Sequence, residues 1–352
     1  MPIAIRYTEF DDFEALRDVV QDSHSDVVQL GRGRMTGAIT HMAFDDDFGI
    51  STGKFSLAMR ASGVLSNTRW CLGFLLGSDG DAFGHHHQFK AGDLAIAAPG
   101  EERYIKFQNN TEYVAPVIAP DEVERHLASQ PGALELLHRH KLSILHATPA
   151  TAAANVANMK PLLTTLIHDG KTMPDETLQF YRRGILDLIT APIRDAVHYR
   201  GARLVAQDTM IRDIEHFYAT RDTPIHISEI CEQFGVHRRA LHRAFHEVVG
   251  MGPVAFLRRK RLNDVHTALR RDGHATTVRQ IAINHGFIDP SRFAQAYKSL
   301  FGELPSQTLK RNIVRLVPFV LWGSVLCASA QDISGLDHIC PMLAAAGFAH
   351  HH

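Results

Sequence analysis

A dense group of cationic side chains lies in the stretch GVHRRALHRAFHEVVG, between Gly235 and Gly250. Its hydrogen-bond donors are Arg238, Arg239, His242, Arg243 and His246. Its apolar residues, spaced as i, i+3, i+4 and i+7, are Leu241, Ala244, Phe245 and Val248. On a helix the two sets lie about 200° apart, so one face would be buried and the other would be basic. Such a face can bind a polyanion, although a single amphipathic helix is more often only solvated.

The charge of the chain is unevenly distributed. The 352 residues have a net charge of -1, but residues 204–311 contain 16 Lys and Arg against 11 Asp and Glu. Residues 1–203 contain 20 basic against 25 acidic residues. A basic C-terminal region behind an acidic one suggests a polyanionic partner for the former, such as nucleic acid.

The cysteines and the apolar segments favour a reduced, cytoplasmic protein without a membrane span. Four cysteines form no CxxC pair, and the N-terminal residues include early acids and no secretory pattern. The longest apolar stretch, LVPFVLWGSVLCASA at 316–330, is shorter than the roughly 20 residues that a spanning helix needs. We expect residues 312–352 to form an apolar tail of unknown role.

The basic stretch belongs to a pattern that occurs twice. Residues 227–253 are echoed by residues 278–305, with Leu241, Phe245, Gly250 and Pro253 each matched 52 residues later. Each unit consists of a short helix, a Gly-containing turn and an amphipathic helix, which is a helix-turn-helix. A gapless stretch at 253–271 predicts a connecting helix of about 28 Å. Two recognition helices about 34 Å apart could enter successive major grooves, and a merely solvated helix does not predict this duplication.

The remaining pattern predicts an α+β chain. Short apolar runs separated by Gly, Asp and Asn predict a β-rich region at residues 1–120, folded as a compact sandwich or small barrel. Helical patterns follow at residues 121–203, which we expect to form a linker or dimerisation region. Residues 204–311 are predicted to be helical throughout.

The repeated region resembles the DNA-binding domain of the AraC/XylS family of bacterial transcription regulators. The resemblance rests on Gly235, Arg239, Leu241, Arg243 and Phe245, on RKRLNDV after the first unit, and on IAINHGF and YKSLFGELP in the second. It implies that double-stranded DNA is bound by Arg238, Arg239, His242, Arg243 and His246, and by Ser291, Arg292, Gln295 and Lys298. The arginines suit guanine and Gln295 suits adenine. One departure is His237, at a position where the family usually has a serine that caps the helix.

A narrower resemblance links the chain to the branch of ethanolamine-utilisation and amine-dehydrogenase regulators. It rests on FHEVVGMGPVAFLRRKRLNDV, RWCLGFLL and GDLAIAAPGEE. It implies a cupin-like β-barrel sensor domain that binds a small effector, such as an amine or amino-alcohol, near Trp70, Phe74 and Phe83. The resemblance also favours an activator that works as a homodimer with RNA polymerase.

Two other functions compete with a ligand-responsive regulator. A metal-dependent cupin enzyme fused to a DNA-binding module could use His85 and His87, but Lys90 and Ala91 stand where a carboxylate ligand is needed. A DNA-binding adaptor that senses no ligand is the third possibility. Since the metal ligand set is incomplete and no Gly-rich phosphate loop occurs, we expect no catalytic residues, metal or cofactor.

Overall fold

The computed structural model describes residues 3–12, 16, 24–84, 87–128, 130, 132–139, 141–198, 209–221, 225–271 and 277–311. The tail at 312–352 and His85 lie outside these residues. Twelve strands are described, and most of them lie in the N-terminal third. They are β1 (Ala4–Phe10), β2 (His24–Gln29), β3 (Gly37–Ala43), β4 (Phe48–Phe55), β5 (Met59–Val64), β6 (Trp70–Gly77), β7 (Ala82–Gly84), β8 (His87–Phe89), β9 (Leu94–Ala97), β10 (Glu102–Phe107), β11 (Thr111–Ile118) and β12 (Leu142–Leu145).

The strands form two open sheets. One has seven strands in the order β1-β3-β4-β11-β6-β9-β12, and the other has five in the order β2-β5-β10-β7-β8. Every described ladder between neighbouring strands of these sheets is antiparallel, and β11 pairs with β4 along its full length. Within the described residues β1, β12, β2 and β8 are edge strands, so no ladder closes the sheets into a ring. The expected closed barrel is therefore corrected to two open sheets that enclose a space.

Within the described residues, ten helices follow β11 along the chain. They are α1 (Pro120–Leu127), α2 (Ala133–Arg139), α3 (Pro149–Asp169), α4 (Asp175–His198), α5 (Thr209–Ala219), α6 (Ile227–Gln233), α7 (Arg238–Val249), α8 (Pro253–Arg271), α9 (Val278–Asn284) and α10 (Pro290–Phe301). A single 3-10 turn at Gly170–Thr172 lies between α3 and α4. The bounds of α8 match the predicted connecting helix residue for residue.

Helices α1 to α4 cover one face of the seven-stranded sheet. On β6, the alternate residues Trp70, Leu72, Phe74 and Leu76 belong to one buried cluster with leucines and isoleucines of these helices. Residues one apart on a strand point to opposite faces, so Cys71, Gly73 and Leu75 face the other sheet. The region after the sheets therefore shares its core with them.

The C-terminal helices repeat their local geometry. The turns after α6 and α9 contain Gly235 and Gly286, both with positive φ, and α7 and α10 both end at a left-handed glycine, Gly250 or Gly302, with φ of 76°. That backbone region disfavours any residue with a Cβ, which explains why glycine recurs at these positions. Leu241 and Phe245 are fully buried in α7, as Phe293 and Tyr297 are in α10. The 52-residue repeat in the sequence is therefore also a repeat in the structure.

Among the helices that the structure describes, none combines the length and apolarity needed to cross a bilayer. The apolar stretch 316–330 is outside the described part of the chain.

Candidate nucleic-acid interface and internal cavity

Helix α7 has the two faces that its sequence predicts. Leu241, Phe245 and Val248 are buried against the neighbouring helices. On the other side Arg238, Arg239, Arg243 and His246 are exposed, and His242 is half-buried. The Arg243 side chain is 73% exposed, and its only described ion pair is a long contact of 3.9 Å to Glu247 one turn away. Its guanidinium is therefore available to bind a ligand outside the protein.

The start of α7 has no side-chain cap. His237 occupies the N-cap position with extended backbone, and its ring makes no capping hydrogen bond. The sequence predicted this weakness, because histidine is a poor substitute for serine at an N-cap. Two of the first backbone amides of α7 belong to Arg238 and Arg239, so the uncapped end is part of the basic surface.

Helix α10 presents a second polar surface with a well-capped start. Asp289 accepts hydrogen bonds from the backbone amides of Ser291 and Arg292, both at 3.0 Å. Ser291, Arg292, Gln295 and Lys298 are all exposed. The Arg292 side chain is 84% exposed and contacts only the capping Asp289 among its described ion pairs. The nine side chains assigned to DNA contact thus lie on two helix faces, with eight exposed and His242 half-buried.

A cavity of about 770 Å³ lies between the two sheets. This volume falls in the range of sites that bind small molecules. Strands β6 and β9 to β11 supply much of its lining, which is mostly apolar. The polar residues that line it include Ser51, Cys71, Arg103 and Tyr113.

Burial governs the protonation of the polar groups in this cavity. Burial raises the pKa of the Cys71 thiol to about 11 and also raises the pKa of Tyr113, so both groups are neutral near pH 7. Burial lowers the pKa of Arg103, but arginine keeps its proton at ordinary pH. The cavity therefore contains a cation beside neutral hydrogen-bonding groups.

The three proposed effector-contact residues do not lie together. Phe74 is among the lining residues of the cavity, whereas Trp70 and Phe83 are not. Trp70 lies in the core under α1 to α4, with its ring centroid 6.0 Å from that of His138. Phe83 packs against the core of the C-terminal helices. The sequence pattern marked the right strand, β6, but it could not tell which of its faces lines the cavity.

The histidine-rich turn gives no metal centre in the described residues. No group of three or more His, Cys, Asp and Glu lies close enough there to hold a metal ion. His87 contacts the ring of His146, which is also 3.0 Å from the carboxylate of Asp93. His85, the other histidine of the predicted pair, falls outside the described residues.

The C-terminal helices dock directly on the N-terminal sheets, and no local sequence pattern indicates this contact. Gln29 of β2 donates its backbone amide to Asn263 Oδ1 of α8 at 2.9 Å, and its side chain donates to the carbonyl of Leu300 of α10 at 2.9 Å. Lys260, one turn before Asn263, forms an ion pair with Asp26. One face of α8 thus lies along β2.

A second docking contact joins β5 and β10 to α5. Arg60 of β5 donates two hydrogen bonds of 2.7 Å to the carboxylate of Glu215, and both side chains are at least nine-tenths buried. The Arg60 guanidinium also lies over the ring of Tyr104, 5.4 Å from its centroid. Tyr104 Oη and His216 Nε2 are 3.0 Å apart. Strand β10 therefore borders the cavity through Arg103 and contacts α5 through its neighbour, Tyr104.

Comparison with known proteins finds similarity in the C-terminal helices and, more weakly, over more of the chain. A family model described as a helix-turn-helix domain matches residues 230–311. The XylDLEGF operon transcriptional activator 1 of Pseudomonas putida is 22% identical over 239 residues, covering 65% of this chain and 70% of that protein. The probable thc operon regulatory protein of Rhodococcus erythropolis is 31% identical over 107 residues, 30% of this chain and 31% of that protein. A solved structure, the AraC-like transcriptional activator CuxR, covers 75% of this chain and 96% of that one, with 14% identity and a TM-score of 0.39.

The chain is a DNA-binding regulator of transcription with a helix-turn-helix domain at its C-terminal end. The relatives support the resemblance to AraC/XylS-type regulators. They are described as regulators of the XylDLEGF and thc operons, so they lend no support to the ethanolamine-utilisation and amine-dehydrogenase branch.

Proposed function

We propose that this chain activates transcription in response to a small effector held between the two sheets. Residues 1–120 would sense the effector, 121–203 would link and dimerise, and 204–311 would bind DNA through two helix-turn-helix units. The observation that carries the proposal is the pair of matched helix units, each with an exposed polar face, docked on sheets that enclose a cavity. The chain would act as a homodimer, and RNA polymerase would be its further partner.

Each unit would place its second helix in a major groove. Helix α7 offers three exposed arginines for guanine edges and phosphates, and α10 offers Arg292 and Gln295 together with a phosphate-binding Lys298. The 19-residue helix α8 joins the units and would keep their separation close to one turn of DNA.

Strand β10 is the route by which an effector would alter DNA binding. A ligand that contacts Arg103 bears on the same strand as Tyr104, which touches both His216 and the buried Arg60–Glu215 pair. A ligand can change the docking of the helices only through its different affinity for the two arrangements. Contacts on both faces of one strand supply that difference.

The test starts from genomic footprinting of the protein in its host, which gives its binding sites. Fluorescence anisotropy on a recovered site should then show binding that is sequence-specific and steeply salt-dependent. Binding that is specific but never altered by any metabolite pool from the host would favour the ligand-independent adaptor. Equal binding to the site and to scrambled DNA would refute the proposal.

A further inference from the structure

The charged groups around the inter-sheet cavity are all of one sign. Its lining includes Arg6, Arg69 and Arg103, and none of the described residues that line it is Asp or Glu. A buried charge is usually paired, because removing it from water is costly. Arg6 is exposed, so this cost falls on Arg103, whose Nε is buried, and the described lining supplies no carboxylate to pair with it.

Arg103 is the cation whose environment is most incomplete. Its Nε is buried and has no hydrogen-bond partner among the described residues. Its neighbours include the Cys71 thiol and the Tyr113 hydroxyl, which are neutral. Tyr113 Oη is 3.2 Å from Ser51 Oγ, so these two hydroxyls form a small polar patch on the facing sheet. A guanidinium next to hydroxyl groups matches the planar, two-oxygen geometry of a carboxylate.

The rest of the cavity suits an apolar body. The apolar residues that line the space include Phe55, Leu75, Phe89, Ile105 and Phe107. A volume of about 770 Å³ exceeds what a carboxylate group alone would fill. The resemblance to the ethanolamine-utilisation and amine-dehydrogenase regulators implied an amine as effector. In this cavity an amine would lie among three arginines, and the described lining contains no Asp or Glu.

We propose that the cavity binds a small monocarboxylate with an apolar body, and that Arg103 is its counter-ion while Tyr113 and Ser51 offer further hydrogen bonds. This inference rests on the proposed function, since it names the chemical class of the effector. The acid would complete the hydrogen bonding of Arg103 while its body fills the space between the sheets.

The experiment compares ligands that share a body and differ in the polar group. Full-length protein is titrated calorimetrically with three acids: 3-phenylpropionate, octanoate and 2-naphthoate. The primary amide of each acid is titrated separately for comparison, as is 3-phenylpropylamine. At least one acid should bind about tenfold or more tightly than its amide, a difference of about 1.4 kcal/mol, and the amine should not bind. Arg103→Gln should remove this preference, and Arg103→Lys should retain part of it. Arg125→Gln, at an exposed position on α1, is the matched control and should bind like the unaltered protein.

The outcomes separate the site from the function. Failure of all three acids to bind at millimolar concentration, an amide or amine that binds as tightly as its acid, or an unchanged acid affinity in folded Arg103→Gln would each overturn the carboxylate site. If Arg103→Gln fails to fold, a full acid preference in Arg103→Lys with no loss of affinity overturns it as well. DNA affinity is measured on the same samples. An acid that binds through Arg103 without altering the DNA affinity leaves the carboxylate site intact and refutes effector control. A neutral ligand that alters the DNA affinity supports effector control and refutes the carboxylate site.

Discussion

The two C-terminal helix pairs have the same local geometry but are attached to the sheets in different ways. The pair α9–α10 shares a wide apolar core with the N-terminal region, which includes Phe10, Met35 and Phe55. The pair α6–α7 shares only a smaller set of apolar contacts, around Val28 and Leu30. Its neighbour α5 is attached by the buried Arg60–Glu215 pair.

This difference teaches which pair can respond to the cavity. Apolar contact is non-directional and stabilises in proportion to the area buried, so it tolerates small shifts of a strand. A bidentate guanidinium–carboxylate pair depends on angle and distance, so a small shift of β5 or β10 changes its energy. Directional contacts also tie α8 and α10 to the sheets, through Gln29 and the Lys260–Asp26 pair, but that side has the wide apolar core in addition. We infer that α5 to α7, which share less of that core, form the responsive side of the docked arrangement and α8 to α10 the anchored side.

The largest expected effect comes from removing one partner of the buried pair. Arg60→Met would leave Glu215 charged, buried and without its guanidinium, which should destabilise the protein by about 3–5 kcal/mol. Replacing both residues, Arg60→Met with Glu215→Met, should recover much of this loss. Denaturant unfolding followed by circular dichroism measures both variants.

The control for this prediction is an ion pair of the same chemistry whose arginine is exposed and whose glutamate also contacts Arg182. Arg125 contacts Glu122 at 2.8 Å but is 68% exposed, so Arg125→Met should cost less than about 1 kcal/mol. A similar small loss for Arg60→Met would show that the docking does not depend on the buried pair, and the contrast between the two helix pairs would then fail.

A smaller effect should separate the two DNA-facing surfaces. Arg243→Ala should weaken binding to the specific site by about 1–3 kcal/mol and relax the preference at one base pair. Lys298→Ala should weaken binding to all sequences about equally and flatten its salt dependence, because a phosphate contact carries no sequence information. Anisotropy titrations on specific and scrambled DNA over a range of salt measure both. Equal, sequence-independent losses would remove the case for base readout by α7.

Much of the C-terminal region was predictable because its signals are local. The spacing of Leu241 and Phe245, the turn glycines and the gapless stretch of α8 each act within a few residues, and the helices follow them. The strands β2, β3, β6, β9 and β10 also lie within residues 1–120, where short apolar runs predict a β-rich region. Strand β12 was missed within a stretch that was assigned to helices, because only its pairing with β9 defines it.

The docking and the cavity could not be predicted because they depend on distant pairs. Arg60 and Glu215 are 155 residues apart, and nothing near either one indicates a buried partner. Trp70 and Phe74 lie on the same face of β6, but in a sheet buried on both sides the composition does not say which face meets helices. Arg103 is the counter-ion that we propose for the effector. In the sequence it resembles an ordinary charged residue on a strand.

The smallest expected effect tests the unequal starts of α7 and α10. Asp289→Ala removes two hydrogen bonds to backbone amides and should destabilise the second unit by about 0.5–2 kcal/mol. His237→Ser adds a hydroxyl where no cap exists and should stabilise the first unit by a comparable or smaller amount. Hydrogen exchange of the first amides of each helix reports the change locally, and urea unfolding reports the total.

Substitution of His237 by alanine is the matched control, since it removes the ring without adding an acceptor. The exchange of the Arg239 amide should slow in His237→Ser and stay unchanged in His237→Ala, because only the hydroxyl can accept its hydrogen bond. A capped α7 should also bind DNA slightly more tightly, since less ordering of its basic first turn would remain to be done on binding. If the serine and alanine variants exchange alike, the first turn of α7 is already held by another contact, and the two recognition helices differ less than their caps suggest.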